Sequence, residues 1–241
     1  MNIYRQIWIY IKFSVKLFIK KPGFYTLKTT IGSFPAWRAH LEEKSLMSER
    51  IPWLTFPSLH FLKQKINSQM IAFEYGSGGS TLFWSENIKQ VISVEHDKEW
   101  YARMKSILET RSISNVQYFL IEPEPGNPLD KKDPYNPDDY ASDDDAYINK
   151  SFENYVKKID AFPPNYFDMV IVDGRARPSC IKHSLNKIKI NGYLIIDNSE
   201  RSYYLASFKF DNSRWKKWDF PGPVPSSYSF SQTTILQKIS E

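Results

Sequence analysis

A carboxylate, a glycine-rich bend and a second carboxylate pose the first chemical question. The stretch Phe73-Glu74-Tyr75-Gly76-Ser77-Gly78-Gly79-Ser80-Thr81 sets Glu74 just ahead of the bend, and Glu95 follows 21 residues after Glu74. Glycines there let the backbone turn sharply and approach a ligand, and a helix starting at the bend offers free N–H donors. A phosphate loop would carry Lys and then Ser or Thr after its last glycine, whereas Ser80-Thr81 follow Gly79 directly. The dinucleotide pattern G-x-G-x-x-G needs glycine where Thr81 stands. Glu74 would repel a pyrophosphate but attract a ligand bearing a positive amino group. An acid at Glu95 suits the two hydroxyls of a ribose.

A second set lies downstream. Asp173-Gly174-Arg175 and Asp197-Asn198 each end an apolar run, with the two aspartates 24 positions apart. Two carboxylates and an amide oxygen are hard ligands suited to Mg²⁺ or Ca²⁺; Asp and Asn at such places equally cap a following helix. Arg175 and Arg177 stay charged, so they are poor bases but good clamps for a carboxylate or phosphate. His183 titrates near neutral pH and is a candidate general base, although a helical histidine more often packs or faces water. Cys180 has no sequence context for a nucleophile.

Glu74-Tyr75-Gly76-Ser77-Gly78-Gly79 resembles the first motif of class I S-adenosylmethionine-dependent methyltransferases, (D/E)-x-G-x-G-x-G, with Ser80 where the family ends in glycine. Glu95 matches that family's second acidic position, and the similarity covers about residues 55–241. The resemblance implies S-adenosyl-L-methionine as cofactor. It would be held by Glu74, Gly76, Ser77, Gly78, Gly79, Ser80 and Thr81 around its amino-acid part, by Glu95 at the ribose, by His96 beside the adenosine, and by Asp173. Asp173 with Asp197-Asn198 is similar to the metal set of catechol and caffeoyl-CoA type O-methyltransferases. That likeness implies Mg²⁺ or another divalent cation on Asp173, Asp197 and Asn198, positioning a substrate hydroxyl and lowering its pKa. Those relatives carry a lysine base shortly after the first Asp, where this chain has Arg175 and Arg177. Asp173, Arg175 and His183 are the candidates for catalysis. The implied reaction is methyl transfer to an oxygen of a small-molecule or saccharide acceptor. Its rivals are a Rossmann-like enzyme using another nucleotide cofactor, and a non-catalytic, membrane-associated module of the same fold.

These residues need a frame that brings strand ends together. Apolar runs at 70–75, 90–95, 116–121, 167–173 and 192–197 alternate with helical spacing at 81–87, 97–108, 151–159 and 178–188. Such alternation predicts βαβ units in a doubly wound, Rossmann-like α/β fold. Two further strands at 215–220 and 233–239, without a helical crossover, complete a seven-stranded, mostly parallel sheet with an antiparallel terminal strand. A proline-rich, acidic insertion at 123–150 reads as a mobile loop or as a lid offering Tyr135, Tyr140 or Tyr147. The predicted organisation is an N-terminal helical arm over 1–50 and a methyltransferase domain over 51–241. Within and beside the arm, 22–35 reads as a connection, 36–48 as a short helix and 57–66 as another.

Length and composition allow one α/β domain: 241 residues, 41% of them apolar. The one cysteine excludes an internal disulfide framework and points to a reducing, cytoplasmic setting. The net charge of +5 is uneven, with cations crowded at the N-terminus and acids between 122 and 145, which disfavours nucleic acid as a partner. Residues 3–20 are apolar and aromatic but interrupted by Lys12 and Lys16, too charged to span a bilayer. Two readings of this amphipathic helix stay open. It lies at a membrane surface through residues 1–21, or it packs on the domain or on a second subunit of an oligomer.

Overall fold

The computed structural model describes residues 2–41, 50–127 and 129–241. The domain is one seven-stranded sheet in the order β3-β2-β1-β6-β7-β9-β8. Its strands are β1 (Ile71–Tyr75), β2 (Gln90–Glu95), β3 (Val116–Leu120), β6 (Phe167–Val172), β7 (Ile188–Ile196), β8 (Trp215–Pro223) and β9 (Phe230–Lys238). The four pairings from β3 to β7 are parallel, and β9 enters antiparallel between β7 and β8. That is the predicted doubly wound sheet with an antiparallel insertion.

Helices α3 (Phe56–Lys63), α4 (Gly79–Asn87), α5 (Lys98–Thr110), α6 (Glu153–Lys157), α7 (Arg177–Ser184) and α8 (Tyr203–Ala206) flank the sheet. Strand residues alternate between two buried faces, as a period of two requires. Phe73, Tyr75, Ile92 and Val94 join one cluster with α6 and α7 residues. Ala72, Val91, Met169 and Ile171 join the other, against Leu59, Leu62 and Trp84. Glu74 shares the face of Ala72, and this fixes its surroundings before any ligand is considered.

Two helices precede the domain, α1 (Ile3–Lys20) and α2 (Phe24–Ala39). The first agrees with the sequence; the second corrects it, because within the 22–35 connection residues 24–35 are helical. Thr, Gly and Pro35 are weak helix formers, yet Thr26, Thr30, Ser33 and Trp37 recur at helical spacing and are buried. Small side chains let the helix approach closely, and Tyr10 Oη of α1 donates to Thr30 O at 2.6 Å. Trp37 Nε1 donates to Ser227 O at 2.8 Å in the β8–β9 loop. Tertiary contact therefore overrides propensity here. Of the helix expected at 36–48, 36–39 complete α2, and 42–48 lie outside the described residues.

The insertion is folded onto the domain. It contains a two-stranded ribbon, β4 (Glu124–Pro125) with β5 (Lys150–Ser151), and a 3-10 turn at Asp145–Tyr147.

Candidate cofactor site

Register brings the chemical residues together. Tyr75 pairs with Val94 and with Val172, and Val172 pairs with Ile196. Hence Gly76, Glu95, Asp173 and Asp197, each one residue further on, meet along one edge. A cavity of about 560 Å³ opens there, lined by Gly76, Ser77, Glu95, His96, Trp100 and Asp173 among others. Open α/β sheets bind ligands at this carboxyl edge, and the volume is of small-molecule size.

The bend is shaped by close backbone approach. Gly76 has φ +88°, and a Cβ on it would lie 2.9 Å from Gly174 Cα and N. Both a left-handed conformation and the packing of β1 against β6 demand glycine there. Gly76→Ala is expected to cost at least about 2 kcal/mol of stability, read as a lowered urea midpoint at unchanged m-value. Gly78 is less constrained, since its backbone is extended and a Cβ would meet only Trp100, at 3.7 Å.

Glu95 is the hub of the cavity floor. Its Oε2 accepts from Ser77 N at 3.1 Å and Ser77 Oγ at 2.8 Å, and its Oε1 from His96 N at 2.7 Å and Asp97 N at 2.9 Å. His96 Nδ1 is 2.8 Å from Oε1 but off a hydrogen-bonding angle, so that contact counts only when the imidazole is charged. Burial pushes the Glu95 carboxyl up, but donors from His96, Asp97 and Ser77 together outweigh it and hold the group below its ordinary value. Ser77 is further held by Trp100 Nε1, which donates to its carbonyl at 2.8 Å, and by Tyr118 Oη at 2.6 Å from its Oγ.

Glu74 corrects a sequence expectation. It does not line the cavity but lies fully buried beneath the bend, where Thr81 Oγ1 and Ser93 Oγ donate to its Oε2 at 2.6 and 2.7 Å. Gly78 N donates in turn to Thr81 Oγ1 at 3.0 Å. Strand alternation points Glu74 at α4, so its role is to brace the bend, and direct contact with a ligand's amino group is not what this geometry offers. Burial is the leading cause that pushes its carboxyl up to about 7, and its Oε1 has no partner. Gly79, Ser80 and Thr81 belong to the first turn of α4 and are also away from the cavity lining.

The expected metal set does not fit a divalent cation. Arg177, buried to 8% exposure, donates from Nη2 to Asp173 Oδ1 and Asp173 O, both at 3.0 Å, and from Nη1 to Asp197 O. Asp197 Oδ1 instead receives Thr233 Oγ1 at 3.0 Å, and Asn198 Nδ2 donates to Ser231 Oγ at 3.0 Å. A fixed guanidinium thus supplies the positive charge between the two strand ends. Burial, with Asp173 adding to it and Arg177 opposing it, drives the Asp197 carboxyl well above its ordinary value. Among the described residues no group of three or more His, Cys, Asp and Glu side chains could hold a metal ion.

His183 is also placed elsewhere. Its Nδ1 is 2.7 Å from Asp160 Oδ2 and its Nε2 3.3 Å from Tyr140 Oη, outside the cavity lining, so it is a packed histidine rather than a base at the site. Arg175 does reach the mouth, paired with Asp144 of the insertion at 2.8 Å and lying over Tyr147 at 5.4 Å. Tyr147 lines the cavity and meets His96 edge-on at 5.2 Å, whereas Tyr135 packs at a tilt against Tyr203. Of the three insertion tyrosines only Tyr147 faces the site. Sequence reasoning missed Trp53, Trp100 and Arg103 in the wall. Trp100 and Arg103 sit three apart on α5, just after Glu95, and that helical spacing was the available signal.

The fold matches that of solved structures. An rRNA methylase from Streptococcus thermophilus is 13% identical, with a TM-score of 0.51 over 76% of this chain and 95% of that one. A Streptococcus mutans protein assigned as a methyltransferase, solved with S-adenosylhomocysteine, is 16% identical, with a TM-score of 0.52 over 75% and 96%. The fold is that of the class I methyltransferases. A Klebsiella pneumoniae protein assigned as an O-methyltransferase shares it at 13% identity and a TM-score of 0.51, over 90% of this chain and 95% of its own. No protein-family model and no curated protein matches the chain.

Proposed function

We propose that the chain is a S-adenosylmethionine-dependent methyltransferase acting on an oxygen of a small-molecule or saccharide acceptor. The observation that carries this reading is Glu95. A buried carboxylate ends β2 on the floor of the carboxyl-edge cavity, beside a bend whose glycine has positive φ. That set of acceptors fits a ribose diol and a cationic amino-acid chain, because Glu95, Asp97 and Glu99 all line the cavity.

The bound cofactor would supply an electrophilic methyl group on a sulfonium. The protein's own work is then binding, orientation and handling of one proton. Glu95 receives the hydroxyls, the Gly76-Ser77 backbone admits close approach, and Trp100 and Tyr147 wall the cavity against water. The proton of the acceptor hydroxyl would pass to Oδ2 of Asp173, which takes part in none of the described hydrogen bonds. Arg177 holds that carboxylate in place through Oδ1. Arg175 at the mouth is the clamp for an anionic or polar part of the acceptor. Positioning supplies most of the rate in such a displacement.

Calorimetric titration tests the reading. S-adenosylmethionine and S-adenosylhomocysteine are expected to bind with micromolar affinity and NAD not at all. Binding of NAD with no response to either sulfur ligand would reject a methyltransferase in favour of another nucleotide enzyme.

Ser77 gives a second, sharper expectation. A carboxylate has about four lone-pair directions, and in this structure Ser77, His96 and Asp97 take all of them. Ribose hydroxyls must therefore displace the Ser77 hydroxyl from Oε2. Ser77→Ala is expected to bind S-adenosylmethionine several-fold more tightly while lowering stability by about 1 kcal/mol. A weaker complex would show that Ser77 Oγ is a ligand contact and not a competitor.

A further inference from the structure

We infer that the α1–α2 hairpin is a docking surface for an anionic lipid bilayer, and that docking holds the rim of the carboxyl-edge cavity at the headgroups. The inference stands apart from the cofactor reading. On α1, Trp8, Ile11, Val15 and Phe18 recur at steps of three and four and are 61%, 55%, 53% and 42% exposed. On α2, Phe24, Leu27 and Ile31 repeat the pattern at 80%, 49% and 65%. The two stripes meet at an apolar groove between the helices, lined by Ile11, Val15, Phe18, Leu27 and Ile31 among others. Monomeric proteins seldom expose so continuous an apolar face.

Charge identifies the occupant. Residues 2–41 contain seven lysines and arginines and no Asp or Glu. Lys12 and Lys16 lie to one side of the α1 stripe, Lys20 ends that helix, and Lys28 follows Leu27 on α2. A second copy of the chain would bring these cations against their own kind, whereas anionic headgroups complement them. No helix among the described residues is long and apolar enough to cross a membrane, so the hairpin lies in the interface.

The hairpin is joined to the site. Phe230, the first residue of β9, packs against Tyr10 and Phe13 of α1 at 5.2 and 5.7 Å, and Lys21 Nζ donates to Gln232 Oε1 at 2.7 Å. The neighbouring Ser231 and Thr233 bond to Asn198 and Asp197, which line the cavity. A surface held by the hairpin is therefore the surface next to the cavity mouth.

Sedimentation of the full chain with vesicles decides the matter. Binding to phosphatidylcholine vesicles containing about one third phosphatidylglycerol is expected to exceed binding to pure phosphatidylcholine by more than tenfold, and to weaken with salt. I11D/I31D and K12E/K16E change exposed side chains only and should melt as wild type; each is expected to lose more than tenfold in vesicle affinity. An environment-sensitive dye on S229C, beside Phe230, should shift to the blue on anionic vesicles, while the same dye on E109C, on the far helix α5, should not. The native Cys180 is buried and leaves the labelling selective. Equal binding to both vesicles overturns the proposal, as does wild-type binding by both variants. A dimer in light scattering that I11D/I31D dissolves, with no vesicle binding, assigns the face to self-association instead. A silent S229C dye on bound protein overturns the placement of the rim.

Discussion

Glu95→Gln is expected to weaken S-adenosylmethionine binding by about a hundredfold while the protein still folds. A hydrogen bond to a charged acceptor contributes about 1.5–3 kcal/mol; the proposed diol makes one in place of the Ser77 hydroxyl, and an amide NH₂ turned toward it offers a donor where the cofactor needs an acceptor. The amide keeps one oxygen for His96 N and Asp97 N, so the α5 entry survives, but its NH₂ faces Ser77 N and cannot accept. The pH dependence has a defined sign. The folded carboxyl is held below its ordinary value, chiefly by the His96, Asp97 and Ser77 donors acting against burial. Its stabilisation is thus fully present above the unfolded value and is lost only as pH falls through the lower folded one. Wild-type affinity and stability should therefore lose this contribution only under acid conditions, and Glu95→Gln should remove that acid limb. Calorimetry and thermal melts at matched pH separate the two effects. Unchanged affinity in a well-folded Glu95→Gln protein would place the ribose elsewhere.

Arg177→Met should be the most destabilising single change at the site, by about 3–5 kcal/mol near neutral pH, the usual cost of leaving a buried charge without its partner. For a chain of this size that is a fall of roughly 10 °C in Tm. The guanidinium ties Gly174 O, Asp173 and Asp197 O together, and no other cation contacts those two acids in the described hydrogen bonds. Asp197 already lies well above its ordinary value because of burial. An acid raised on folding binds its proton more tightly in the native state. Its ionisation therefore costs stability above the unfolded pKa, and the cost is complete above the folded one. Without Arg177 the folded pKa rises further. The Tm gap between wild type and Arg177→Met should widen as pH rises through the folded wild-type value of Asp197 and narrow in acid. A gap independent of pH would mean that Arg177 acts through packing on Tyr204, 5.2 Å from its guanidinium, and not through charge.

The arginine also changes how the Asp173 and Asp197-Asn198 pattern is understood. Two acids and an amide at neighbouring strand ends suit a divalent cation by composition, but a guanidinium donating to Asp173 and to the Asp197 backbone occupies the same electrostatic role. Asp173 and Arg177 are four apart across the turn from β6 into α7, so half of this arrangement is local along the chain. The other half, the bond to Asp197 O twenty residues on, depends on β6 lying beside β7.

Much of the molecule follows from local rules. Continuous apolar runs separated by helical spacing can only be satisfied by parallel strands covered on both faces, so the α/β alternation, the strand pair at the end and the glycine bend after β1 are legible in the sequence. Glu95 at the end of β2 follows in the same way, because its distance from the bend fixes its place at the strand's carboxyl end. The partners each side chain meets were decided only by tertiary structure. Sheet alternation turned Glu74 toward Thr81 and Ser93, helix packing made α2 out of poor helix formers, and docking of the insertion selected Tyr147 over its two neighbours. Periodicity records which way a residue faces within its own element. What stands opposite is set by how the elements pack, and contacts between residues far apart in sequence leave no trace in either period.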